Sequence, residues 1–122
     1  MIRKAQFTPQ NAQVVIVDPK GKIVVPKWTR DAAFVWTDTC IFFGCRPDIE
    51  GDTMLTLGDM REVDPGTPPV LQVKLKTPSR KIALESIDIQ TILEADVSGQ
   101  ETLVRIWANH PMSPDNVIVG FE

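Results

Sequence analysis

The chain is cut into short pieces by its own turn residues. Ten prolines and seven glycines are spread through 122 residues, and between them the apolar runs are short and either β-branched or alternating. Val70-Leu71-Gln72-Val73-Lys74-Leu75-Lys76 is the clearest case, with Leu71, Val73 and Leu75 on one face and Gln72, Lys74 and Lys76 on the other. That period of two belongs to a half-buried strand. A chain punctuated this way builds antiparallel strands closed by turns.

The same reasoning predicts the remaining elements. Gln13 to Val17 is apolar and β-branched, Asp18-Pro19-Lys20-Gly21 carries a type I turn signal, and Ile23 to Val25 resumes the run, so residues 13–25 read as a hairpin closed by Pro26. Thr29 is placed to cap a short helix through Trp36, with Asp31 near its positive end. Cys40–Cys45 and Thr53–Leu57 suggest a second hairpin, and the proline-rich segment Asp59–Pro69 reads as a loop. Lys81–Ile89 and Thr91–Val97 read as strands with a change of apolar phase between Leu84 and Ile87, the mark of a bulge or a crossing between sheets. Thr102–Ala108 is apolar on both faces and so reads as a central strand, and Val117–Phe121 closes the chain. The expected fold is a single mainly β domain over residues 1–122: an antiparallel β-sandwich of about eight short strands with one short helix.

Composition agrees with one globular domain, with 43% hydrophobic and 24% charged residues. The N-terminal stretch has basic residues but no apolar h-region, and no later stretch approaches the roughly 20 residues of a membrane span, so a cytoplasmic location and no membrane span are expected. Cys40 and Cys45 would lie roughly 16 Å apart in an extended strand, beyond disulfide reach, and read as buried free thiols. The net charge of −3 argues against phosphate neutralisation, and no nucleic-acid partner is expected. Charge is polarised along the chain: residues 1–30 carry six bases against Asp18, and residues 85–122 carry seven acids against Arg105.

Little in the chain points to catalysis. His110 is the sole histidine, so a nucleophilic triad or a zinc site would have to be built around it, and two separated thiols do not complete a zinc set. Asn109-His110-Pro111 reads as a strand-ending turn in which Asn109 and the imidazole bond to nearby backbone. Asp48-x-Glu50-x-Asp52 alternates like a calcium loop but lacks its glycine position and its closing glutamate. No cofactor or metal is expected. Trp36 and Trp107 read as core residues, while Trp28 stands where an indole either staples a helix or faces a partner.

One segment concentrates charge. Between residues 48 and 64 stand Asp48, Glu50, Asp52, Asp59, Glu62 and Asp64 against Arg61 alone. This is either a solvated, proline-bounded loop or a surface for a basic protein partner.

Three stretches in order, Trp28-Thr29-Arg30-Asp31-Ala32, Leu84-Glu85-Ser86-Ile87, and Ser98-Gly99 followed by Leu103 and Trp107 leading to Pro111, resemble the competence protein J family, inhibitors of the DNA-entry nuclease. The chain departs from that pattern at Gln100-Glu101, where an aromatic is expected, and in a longer, more acidic central loop. The resemblance implies a small partner protein without a reaction of its own, which binds and blocks a nuclease. An immunity-type pairing with another nuclease or a toxin satisfies the same logic. On this reading the partner-binding residues are Asp48, Glu50, Asp52, Asp59, Glu62 and Asp64, with Trp28 as a candidate anchor. The competing expectation is a β-sandwich module that binds a small molecule or carbohydrate in a concave face near Trp28. A third is a hydrolase centred on His110, with Asp115 as its acid.

Overall fold

The computed structural model describes residues 2–8, 13–29, 32–46, 48–88 and 90–122, and for Asp48 the backbone alone. Two five-stranded sheets pack face to face as a β-sandwich. The strands are β1 (Ile2–Phe7), β2 (Gln13–Val17), β3 (Phe34–Trp36), β4 (Cys40–Gly44), β5 (Thr53–Asp59), β6 (Leu71–Lys76), β7 (Lys81–Ser86), β8 (Thr91–Asp96), β9 (Glu101–Ala108) and β10 (Asn116–Phe121). Sheet A runs β1-β5-β10-β9-β6 and sheet B runs β3-β4-β2-β7-β8. Pairing is antiparallel except between β5 and β10, which run parallel in register Asn116↔Met54 to Phe121↔Asp59.

The core lies between the sheets and follows from side-chain alternation. Sheet A contributes Leu55, Leu57, Val73, Leu75, Val104, Ile106, Val117 and Val119; sheet B contributes Val14, Ile16, Ile41, Phe43, Ile82, Leu84 and Ala95. Leu71, Val73 and Leu75 face inward as their spacing predicts, although Leu71 at the strand's start is only partly buried. The expected bulge is present, as a register shift between Leu84 and Glu85 where β7 pairs with β8.

Three local expectations are corrected. Residues 13–25 do not form a hairpin: the turn closes, with the Gly21 N–H donating to the Asp18 carbonyl at 3.1 Å, but β2 pairs with β4 and β7. The Asp18 carboxylate explains this, because it accepts from the Ser79 N–H at 2.7 Å and the Ser79 hydroxyl at 2.5 Å. Asp18 thereby ties the turn to the β6–β7 connection, and residues 22–29 leave as a strap outside sheet B. Burial pushes the Asp18 carboxyl up, but the bonds from Ser79, Lys20 and Gly21 outweigh it and leave it below the ordinary value.

The helix placed at residues 29–36 is also absent from the described part. Arg30 and Asp31 lie outside the described residues, and Phe34–Trp36 is instead β3, paired with β4. Nor do β4 and β5 form a hairpin, since they belong to opposite sheets. The one short helix among the described residues, α1 (Met60–Val63), sits inside the segment read as loop. Asp59 caps it by accepting from the Arg61 N–H at 3.0 Å.

From α1 the chain folds back over the outer face of sheet A. Trp107, on that face of β9 and 6% exposed, donates its indole N–H to the Thr67 carbonyl at 2.8 Å and so pins the returning loop. A Cβ on Gly120 would come within 3.1 Å of the Trp107 ring and 3.2 Å of Val63, so glycine lets α1 and the indole settle directly on the sheet. Trp107 is buried as expected; Trp36, also expected in the core, is 49% exposed on the edge strand β3.

Candidate functional site

Strand β5 divides the acidic segment. Asp48, Glu50 and Asp52 precede it, Asp59 ends it about 20 Å away over its seven residues, and Glu62 and Asp64 follow on α1 and its exit, which turn back over sheet A. Linear clustering therefore becomes two acidic groups.

The first group sits on a turn braced against the β9–β10 connection. Asp48–Glu50 is a single 3-10 turn, and the Asp48 side chain lies outside the described residues. The Arg46 N–H donates to the Pro114 carbonyl at 3.0 Å, its guanidinium donates to the Asp52 carbonyl at 2.7 Å and pairs with Asp115 at 3.2 Å. Gly51 has φ of +116°, and a Cβ there would stand 2.6 Å from the Arg46 guanidinium, so glycine is what lets the turn wrap that side chain. The Asp52 carboxylate accepts from Thr8 at 2.7 Å and Gln6 at 3.1 Å and so fastens the turn to β1. Glu50 is exposed and shares a shallow depression with Arg46, His110, Ser113 and Asp115. Beside it Ile49 stands 91% exposed, an apolar knob that reading by charge alone passes over.

The second group belongs to α1 and its exit. Asp59 accepts from the Arg61 backbone and pairs with its guanidinium at 3.3 Å, and these bonds hold its carboxyl below the ordinary range. Asp64 accepts from the Gly66 N–H at 2.7 Å, a local turn. Glu62 is exposed and lines a depression over sheet A with Ile2, Lys4, Met54 and Thr56. Trp28 joins neither group: it packs on Phe42 of sheet B, ring centroids 6.4 Å apart, and is 36% exposed.

His110 is held as its sequence context predicts. Its Nδ1 accepts from the N–H groups of Met112 at 3.2 Å and Ser113 at 2.9 Å, while the Asn109 amide oxygen accepts from Asp115 and Asn116. Asp115 bonds to Asn109 and Arg46 instead of the imidazole, so among the described residues no acid orients His110 as a base. Cys40 and Cys45 are free and buried, and burial pushes their thiols up to about 11 and about 12. Among the described residues no group of three or more His, Cys, Asp and Glu side chains is placed to hold a metal ion, and no helix is long and apolar enough to cross a membrane.

Sequence reasoning also missed the outer face of sheet B. Val15, Val17 and Cys40 are buried there with Phe42 half-buried against them, and with Ile23, Val25, Ile87 and Glu85 they line a groove of about 290 Å³. The signal was present in Val14-Val15-Ile16-Val17, a run without alternation, because a strand apolar on both faces is covered on both faces.

No protein-family profile matches the chain, and no curated protein matches it in sequence. A search of solved structures finds the crystal structure of ComJ, inhibitor of the DNA degrading activity of NucA, from Bacillus subtilis, with a TM-score of 0.68. The alignment is 15% identical and covers 99% of this chain and 97% of ComJ, so the two share a fold from end to end.

Proposed function

We propose that this chain is a non-catalytic protein that binds and inhibits a nuclease. The observation that carries the reading is the full-length likeness of fold to ComJ, an inhibitor of the DNA degrading activity of NucA. Two features are consistent with it: the imidazole of His110 is engaged by backbone N–H groups, and the exposed carboxylates sit on braced turns. A nuclease site is charged to receive phosphates, so carboxylates on a rigid scaffold both compete for it and speed association. Glu50, Asp52, Glu62 and Asp64, with Asp48 and Asp59, are the proposed face, and Ile49 adds an apolar contact beside it. Trp28 lies on the other sheet and serves a separate contact.

The carbohydrate-module reading is less favoured. The groove of sheet B is lined by Val15, Val17, Ile23, Val25, Cys40, Phe42 and Ile87, with Glu85 and Ser86 as its polar members, too few for a sugar's hydroxyls.

The test is a DNA-degradation assay with a NucA-type nuclease and increasing amounts of the chain. Inhibition is expected at low salt and weakened at about 0.3 M salt, where the Debye length falls to roughly 5–6 Å. The triple variant Glu50→Lys, Glu62→Lys, Asp64→Lys is expected to inhibit at least about tenfold less well. Full inhibition by that variant at low salt moves the face elsewhere; no inhibition by the native chain removes the function.

A further inference from the structure

Sheet faces that look outward in a sandwich are ordinarily polar. The outer face of sheet B is not. Its register sets Phe42, Val15 and Glu85 side by side in one row, and Cys40, Val17, Ala83 and Glu94 in the next. The strap covers part of these rows, held by the Val24 N–H donating to the Thr39 hydroxyl at 2.8 Å and the Thr37 hydroxyl donating to the Val24 carbonyl at 2.7 Å. Ile23 and Val25 of the strap and Ile87 beyond β7 then wall the groove, which has Glu85 within its apolar lining.

Glu85 is 8% exposed and, among the described residues, its side chain takes part in no hydrogen bond or ion pair. Its charged neighbourhood is unfavourable as well, since Glu94 lies close enough to raise its carboxyl further after burial has done so. Its oxygens keep some contact with solvent, yet a carboxylate this far desolvated and without a charged partner is costly, and such groups in native proteins are normally paired. A cation on an apolar stem satisfies both halves of this site: the stem takes the place of water against Val15, Val17 and Phe42, and the charge meets Glu85.

We propose that the groove receives a lysine or arginine side chain of a protein partner. The rim identifies a protein and not a free amine. Val24, Val25, Trp28 and Trp36 are all exposed around the strap, and a second depression lined by Val25, Pro26, Phe34 and Trp36 adjoins the groove through Val25. This apolar border extends beyond what a small alkylamine would cover, and it supplies the exposed indoles on which interface contacts concentrate. The net charge of −3 also favours a basic partner. The inference rests on the proposed function only in taking the occupant to be part of a protein.

The test uses the whole chain and no nuclease, so that its failure and the failure of inhibition are separate. Methyl resonances of Val15, Val17 and Ile87 are followed by NMR during titration with n-butylammonium, with n-butanol, and with a short acetylated peptide whose central lysine is flanked by valine and leucine. Butylammonium is expected to shift these methyls saturably and to bind at least about tenfold more weakly to Glu85→Gln. Butanol is expected to bind the native chain and the variant alike. The peptide is expected to bind more tightly than butylammonium, and Trp36→Ser, which alters the rim but not the groove lining, to remove that advantage while leaving butylammonium binding unchanged. Equal binding of butylammonium to both chains, or shifts no larger than those from butanol, overturns the cation site. A peptide no tighter than butylammonium overturns the protein partner and makes the occupant a small amine.

Discussion

The outer faces of the two sheets are covered in opposite ways. Over sheet A, α1 and the loop behind it are seated by an indole whose N–H reaches the Thr67 carbonyl and by the glycine that admits it. Over sheet B, the strap is held by its two hydrogen bonds to the Thr37–Thr39 turn and leaves a groove beneath it. Individual carboxylates contrast as well. Asp52, Asp59 and Asp64 are each occupied with fastening the chain to itself, whereas Glu85 on sheet B has no such duty among the described residues. A carboxylate count along the sequence thus mixes residues that build a surface with a residue that waits for something.

The largest expected effect separates the two covers. Trp107→Ala removes a buried indole and the pin of the sheet A loop, and should cost about 3–5 kcal/mol in chemical denaturation. Val25→Ser on the strap, where the side chain is exposed, should stay within about 0.5 kcal/mol of the native chain. If the two variants cost the same, the strap is a structural cover like the loop and the contrast is void.

Next in size is Asp18, the post from which the strap departs. Asp18→Ala strands the Ser79 and Lys20 donors and should cost roughly 2 kcal/mol. The carboxyl is held below its ordinary value of 3.8 in the fold, so its contribution is present above that pH and is lost as pH falls through the lower folded value. Measured down a pH series, the difference between native and variant chains should therefore shrink only in strong acid. A difference that shrinks already near pH 6 would contradict the hydrogen-bonding account.

Much of this was legible in the chain before its folding was known. Leu71, Val73 and Leu75 announce their strand because one face is core and the other is solvent, and the bulge at Leu84 and Glu85 shows as a break in phase. The turn at His110 follows from residues that bond to their own backbone. Strand β1 stayed hidden because an edge strand need not alternate strongly: Ile2, Lys4 and Gln6 are all exposed. The hairpin at residues 13–25 was misread because Asp18 answers to Ser79, 61 residues away, and no local pattern carries that bond. Glu85 was invisible as a site for the same reason, since its apolar surroundings come from β2, β4 and the strap.

The thiols offer a kinetic version of the comparison. Cys45 belongs to the core between the sheets, and Cys40 to the outer cluster under the strap. Both are pushed far up by burial, so neither should react with a thiol–disulfide reagent at pH 8 in the native chain. At denaturant concentrations below the unfolding midpoint, mass spectrometry should find Cys40 labelled before Cys45, because lifting the strap is a smaller opening than parting the sheets. Simultaneous labelling would mean that the strap opens only with the whole fold.

The smallest expected effect is a gain. Burial first, and Glu94 second, raise the Glu85 carboxyl above its ordinary value of 4.5 in the folded chain. A carboxyl raised by folding contributes stability below the unfolded value and loses it as pH rises through the folded one, so at neutral pH the ionised group weakens the fold. Glu85→Gln keeps the shape and removes the charge, and should raise the melting temperature slightly at pH 7. Below pH 4.5, where the native side chain is itself neutral, the two chains should melt together. Glu94→Gln lifts only the second cause and also removes the ion pair of Glu94 with Lys81 at 3.6 Å, so its gain should be smaller than that of Glu85→Gln. A loss of stability in Glu85→Gln at pH 7 would mean that the carboxylate already has a partner within the chain, and the groove would then have no unmet charge to offer.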